Sequence, residues 1–305
     1  MHEIELRGPD GGDLLGFMAA LGSLRVLSLR EPGVRMHWTD AGEGWMPVVH
    51  HPRISAGEGL VREVASLVCG ESTINEAWRI GNDLTLPREE FRKHLQEHAA
   101  KAKSDQREGV DFLTAFGSEV YGIGPKKEQV GDTEFRTMSG AGNQHFLAFM
   151  RELALAVNHD QIRRTLLEPW DYADRRPSMR WSWTDYRPHA LRADDPSTDP
   201  IRTMRGANRL ALEALPLFPT MAANKRVRTP AFRDGHGEME ITWPVWTCPI
   251  DVRTAQSLIA LKELHAAEPA ESAGTLGRRG IGQVFRARRF TEGKYRNFSR
   301  AKALL

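Results

Sequence analysis

The sequence predicts an α+β fold, a mixed domain with short antiparallel sheets and several helices. Three observations point there: short runs in which apolar and polar residues alternate, apolar residues recurring at helical spacing, and no regular strand–helix–strand alternation. The chain has 305 residues, 40% hydrophobic and 27% charged. That is enough to bury a full core, and the composition is unlike that of a disordered segment. It reads as one unit over residues 1–305, with a helical insertion at 57–138 and a basic C-terminal segment at 278–305.

Ile4 and Leu6 alternate with Glu3, Glu5 and Arg7, the pattern of a half-buried strand. Gly8 to Gly12 is a turn, and Asp13 is placed to accept the free N–H groups of a helix's first turn. Leu14, Phe17, Met18, Leu21 and Leu24 follow at helical spacing and predict one apolar face. Val34, Met36 and Trp38 alternate with polar residues as a second strand, and Trp45 to Val49 predict a third.

Segments 57–69, 87–103 and 110–117 read as helices. The middle one is mostly polar, opens on acids and closes on lysines as the helix dipole favours, and so reads as a solvated surface helix. Residues 118–138, rich in Gly, Lys and Glu, read as a loop. A long helix is expected from Gly140 to Val157, buried through Phe146, Met150, Leu153 and Val157. Residues 168–200 read as irregular, with a strand near 189–193. Asp199-Pro200 predicts the start of a helix that runs to about Leu215, where Pro216 and Pro219 stop it. Segments 224–233 and 238–246 predict a hairpin around Asp234-Gly235-His236-Gly237. Asp251 caps a helix through about His265, 274–282 is a turn, and Gln283 to Phe290 a strand leading into the basic segment.

Net charge is only +2, yet it is unevenly spread. Nine Lys or Arg lie between Arg278 and Lys302, against the single acid Glu292. A local excess of this kind can hold an anion even in a nearly neutral chain. No apolar stretch reaches the ~18 residues needed to cross a membrane. The N-terminus lacks the basic start and apolar run of a signal peptide. A cytoplasmic protein without a membrane partner is expected. Cys69 and Cys248 lack metal-binding spacing and are expected as reduced, buried thiols.

No catalytic motif stands out. His94 and His98 have the helical spacing of half a zinc site, but Leu95 replaces the motif's Glu and no third ligand is evident. Neither a metal nor a cofactor is expected. There is no GxSxG and no phosphate-binding glycine loop between a strand and a helix. The chain therefore reads as a binding protein rather than an enzyme, and three segments could hold nucleic acid. The turn ending in Asn143, Gln144 and His145 precedes a helix and could offer N–H groups to a phosphate; an ordinary tight helix start is the simpler explanation. Arg202, Arg205 and Arg209 share a helix face with Asn208 nearby, unless they pair with Asp194, Asp195, Asp199 and Glu213. In the basic segment, Arg286, Arg288, Arg289, Lys294, Arg296 and Arg300 interleave with Phe285, Tyr295 and Phe298. Cations neutralise phosphates and aromatic rings stack on unpaired bases. The alternative there is a solvated basic tail.

Leu6-Arg-Gly-Pro-Asp with Gly16-Phe-Met-Ala-Ala-Leu-Gly-Ser-Leu-Arg-Val-Leu resembles the start of large-subunit and accessory proteins of CRISPR interference complexes, nearest to type I, subtype G (formerly U). Ser139-Gly-Ala-Gly-Asn-Gln-His-Phe-Leu, Met204-Arg-Gly-Ala-Asn-Arg-Leu-Ala-Leu-Glu-Ala-Leu-Pro-Leu-Phe-Pro and the closing Gly-Lys-Tyr-Arg-Asn-Phe-Ser at 293–299 fit the same resemblance. It implies a non-catalytic subunit of an RNA-guided, Cascade-like complex in antiviral defence. Its partners would be the other effector subunits, guide RNA and target DNA, with cleavage left to a separate helicase–nuclease. At 305 residues the chain is short for a large subunit. Two other readings stand beside it: an enzyme with a dispersed acid–base site at His145 or His236, and a scaffold that touches protein only.

Overall fold

In the computed structural model, every residue is described except 104–106, 125, 139–143, 176, 186–201, 236 and 293–294, and the side chains at 185, 292 and 295. Strand β1 (His2–Glu5) leads through the Gly8–Gly12 turn into α1 (Leu14–Arg30), then β2 (Arg35–Asp40) and β3 (Trp45–His51). β3 lies between the other two in an antiparallel sheet, with Ile4 opposite Val49 and Met36 opposite Val49 from the other side. Asp13 caps α1 as expected, accepting the Gly16 N–H at 3.3 Å. The helix itself departs from the one-faced reading. Every residue from Leu14 to Leu27 is buried, so α1 is a central helix surrounded by protein, and Ser23 is accommodated by donating to the Ala19 carbonyl.

Helices α2 (Gly57–Val68), α3 (Arg88–Lys101) and α4 (Glu108–Phe116) form where helical periodicity places them. α3 buries only Phe91, in keeping with a solvated helix. The expected loop at 118–138 is instead partly a hairpin, β4 (Gly117–Ile123) against β5 (Gln129–Asp132). Its Gly and Lys content hid the short alternation of Val130. The next helix, α5 (Phe146–Ala156), starts later than expected, with Gln144 and His145 outside it. α6 (His159–Leu167) opens on a capping box between Asn158 and Gln161.

A further correction concerns the helix expected from Asp199. Residues Arg202–Thr203 form β7, paired with β6 (Asp174–Arg175), and the helix α7 runs only over Arg205–Leu212. The strand expected near 189–193 lies outside the described residues. After α7 come β8 (Met221–Ala223), β9 (Arg226–Arg228), β10 (Phe232–Asp234), β11 (Met239–Trp246), α8 (Val252–Ile259), α9 (Ala273–Arg278), β12 (Ile281–Glu292), β13 (Tyr295–Phe298) and β14 (Lys302–Ala303). β10 and β11 pair in part of the expected hairpin, but the first strand expected over 224–233 is divided: Arg226–Arg228 pairs with β8 instead and only Phe232–Asp234 joins β11. α9 occupies part of the expected turn at 274–282.

The basic C-terminal segment is not a tail. It is folded into an antiparallel sheet of order β10-β11-β12-β13, with β14 also on β12. Among the described residues the fold is α+β, several helices around small antiparallel sheets. No described helix is long and apolar enough to cross a membrane. Cys69 and Cys248 are unbonded to each other, and neither is buried as expected: Cys69 is half-buried and Cys248 exposed.

The two larger sheets are joined through an aromatic cluster over α1. Phe17 stacks on Trp38 and meets Trp243, each at 6.0 Å between ring centres, and Trp38 meets Trp246 edge-on at 6.1 Å. Such pairs contribute about 0.5–1.5 kcal/mol each beyond their buried area. Both indole N–H groups of the second sheet are satisfied across the junction, Trp243 on the Gly11 carbonyl at 2.8 Å and Trp246 on Met36 at 2.7 Å. One contiguous set of buried side chains runs from Ile4 to Phe298 and includes Leu60, Phe91 and Phe112 from the 57–138 region.

Candidate nucleic-acid interface

The fold separates the predicted contact residues into three groups. Asn143 and Lys294 lie outside the described residues. Gln144 and His145 are half-buried just before α5, and His145 makes no side-chain cap.

A second group is consumed by the fold. Asn208 is fully buried; its amide oxygen accepts the Met179 N–H at 2.7 Å and its NH2 donates to Thr203 and Met204. Arg209 is 0% exposed, donates to the Val68 carbonyl and to Glu213, and lies over the Trp78 ring. Arg205 pairs with Asp174 at 3.5 Å while its backbone N–H takes the same carboxylate. Arg286 is largely buried and is spent on Thr242 and the carbonyls of Leu264, Ala266 and Ala267. The expected basic face on one helix therefore does not exist. Asn208 and Arg209 point inward because α7 is covered on both sides, and Arg202 sits on β7.

The third group makes no close ion pair among the described residues, although Arg289 within it is largely buried. Arg202 is exposed. Arg288 is 63% exposed with a loose contact to Glu238 at 3.4 Å. Arg300 is exposed and lies over the Trp183 ring at 5.5 Å. Arg289 and Arg296 come together. On β12 and β13 they face the 132–138 segment, and both donate to one main-chain oxygen, that of Arg136, at 2.9 and 3.1 Å.

The charges around this pair are unevenly balanced. Asp83 and Asp132 are both held by Arg136 at 2.6 Å. Among the described residues, neither Arg289 nor Arg296 forms an ion pair. Burial, followed by the neighbouring Arg296, lowers the Arg289 pKa to about 10, which leaves it cationic at neutral pH. Its Nε is buried without a partner. Glu134 is pushed above the usual carboxylate range by burial, against hydrogen bonds from Thr229 and its own backbone and the charges of Arg289 and Arg228. Two adjacent guanidiniums with spare N–H donors and a weakened opposing carboxylate favour a bound anion. Glu134 and Arg136 were not singled out in the sequence, because an acid and a base two residues apart carry no motif.

A second cluster occupies the outer face of the first sheet. His37 Nδ1 lies 2.8 Å from His50 Nε2, with Thr39 on His37 Nε2 at 3.3 Å and Glu3 3.7 Å from His50 Nδ1. Burial, then His50, lowers the His37 pKa, with Glu3 opposing. His51 and His265 are lowered as well, chiefly by burial. A histidine pKa depressed in the folded state means that the unfolded chain binds more protons, so stability is present above about pH 6.5 and is lost as pH falls through the folded pKa values. Denaturation midpoints are expected to drop between about pH 7 and pH 5, with a shallower fall in His37→Gln. An unchanged midpoint over that range would contradict the assignment.

Among the described residues, no group of three or more His, Cys, Asp or Glu side chains is arranged to hold a metal ion. No known protein-family model matches the chain, and no curated protein matches it.

Proposed function

We propose that the chain is a non-catalytic, nucleic-acid-binding subunit of an RNA-guided surveillance complex, and that it grips the phosphate backbone of guide RNA or target DNA. The observation that carries the binding half is the Arg289–Arg296 pair: two guanidiniums converge on one carbonyl, neither forms an ion pair among the described residues, and the opposing charge felt by Arg289 comes first from Glu134. Phosphate is the anion that such forks fit. The exposed Arg288, Arg300 and Arg202 extend the cationic surface without reading sequence. The place in a complex is supported by the resemblance of the opening, middle and closing segments to type I-G subunits. The cytoplasm is the compartment this reading requires.

Variants of the pair and of its neighbour should act in opposite directions. Arg296→Gln is expected to weaken binding of labelled single-stranded RNA and DNA about tenfold, the loss of one charge-assisted contact. Glu134→Gln removes the opposing charge and should tighten binding a few-fold. Equal affinities for all three proteins would remove the pair from the interface.

A further inference from the structure

A groove of about 600 Å³ lies on another part of the molecule, between the 8–13 turn, the 40–45 turn and residues 300–301. Trp45, Trp170, Tyr172 and Trp183 supply its aromatic wall. The Trp170 ring is fixed, because its N–H donates to the Thr165 carbonyl at 2.9 Å and Tyr172 packs edge-on against it at 6.0 Å. Trp183 is 42% exposed.

The charge in this groove is opposite to that around Arg289. Asp10, Asp13, Asp40 and Glu43 all line it. Asp10 holds two backbone N–H groups, those of Gly12 and Trp45, through one oxygen, and Asp40 holds Gly42 in the same way. These bonds fix the carboxylates without neutralising them. Glu43 is exposed, and Asp10, Asp40 and Glu43 form no ion pair among the described residues. Among the described residues Arg300 is the single cation in the lining, and it already lies over the Trp183 ring. Aromatic faces and carboxylates together attract a cation and repel a phosphate.

We propose that this groove receives a basic side chain, arginine or lysine, presented by a partner protein. Arg300 shows how a guanidinium sits on its wall, and the carboxylates of Asp10, Asp40 and Glu43 leave room in charge for another cation. The inference does not rest on the nucleic-acid reading, since the ligand has the opposite charge and Arg300 is the one residue named in both.

The test uses the intact chain and a short arginine peptide, beside the same peptide with citrulline in place of arginine. Citrulline keeps the shape and removes the charge. Indole N–H resonances report the groove, with Trp183→Phe assigning one of them. The arginine peptide is expected to shift the groove indoles and the citrulline peptide to leave them unmoved. Glu43→Gln should weaken the arginine peptide by roughly two- to fivefold, the scale of an exposed ion pair. Glu43 is exposed, so folding should be unaffected. The proposal is overturned if the arginine peptide moves no groove indole, if the citrulline peptide binds equally well, or if Glu43→Gln changes nothing. It is also overturned if an oligonucleotide moves those indoles and the peptide does not.

Discussion

Glu213→Ala is expected to destabilise the protein by about 3–5 kcal/mol, the cost of leaving buried charge unpaired. Glu213 is 5% exposed and holds two arginines at once, Arg25 at 2.9 Å and Arg209 at 2.7 Å. Neither guanidinium can reach water readily: Arg25 is buried over the Phe112 ring and Arg209 is fully enclosed over Trp78. Arg25 keeps a second acid, Glu108 at 3.2 Å, whereas Arg209 keeps only the Val68 carbonyl. Glu213→Gln, which retains an acceptor, should cost less than the alanine variant. Chemical denaturation of the two variants checks the order. The same experiment separates the structural role of Arg209 from a binding role. An Arg209 variant should lose stability, and a variant that lost nucleic-acid affinity with stability intact would contradict its placement in the core.

Gly22→Ala should produce the next largest loss, about 3 kcal/mol, as overpacking does in a closed interface. Gly22 lies on α1 where it crosses α7, and a Cβ there would overlap the Leu210 carbonyl oxygen. Backbone cannot swing aside as a long side chain can. α7 has no freedom to retreat, because Gly206 on α7 is in the same relation to the Gln161 carbonyl of α6. Gly277→Ala on α9 is the control: a Cβ there meets nothing within 4 Å, so it should be neutral or stabilising by up to about 1 kcal/mol through helix propensity. Similar losses at both glycines would show that the α1–α7 contact is looser than described.

These two sites also show what could be read from the sequence. The Asp13 cap, the first three strands and the Asp251 cap were legible because each is set by neighbours in sequence. The burial of α1 on every side was not. Leu14 to Leu27 look one-faced when only the large residues are counted, and the small ones, Ala19, Ala20 and Gly22, are what let other elements close in. The helix face of Arg202, Arg205 and Arg209 failed for a related reason. Helical spacing was extended back to Asp199-Pro200, while pairing with Asp174–Arg175 draws Arg202–Thr203 into a strand. Arginine-rich composition alone cannot separate donors spent inside from those left open. Arg286 and Arg289 are three residues apart on one strand, yet one staples the 264–267 carbonyls and the other remains without an ion pair. Only Arg289 and Arg296 of the basic segment were both foreseen as contacts and brought together by the fold.

Binding of the purified chain to single-stranded RNA and DNA across a salt series tests the central claim most directly. Affinity should fall steeply with salt, and Arg289→Ala/Arg296→Ala should lower the slope of log affinity against log salt by about one to two, one for each lost phosphate contact. An unchanged slope in that variant, or no binding at any salt, would contradict the phosphate-gripping role proposed for this pair.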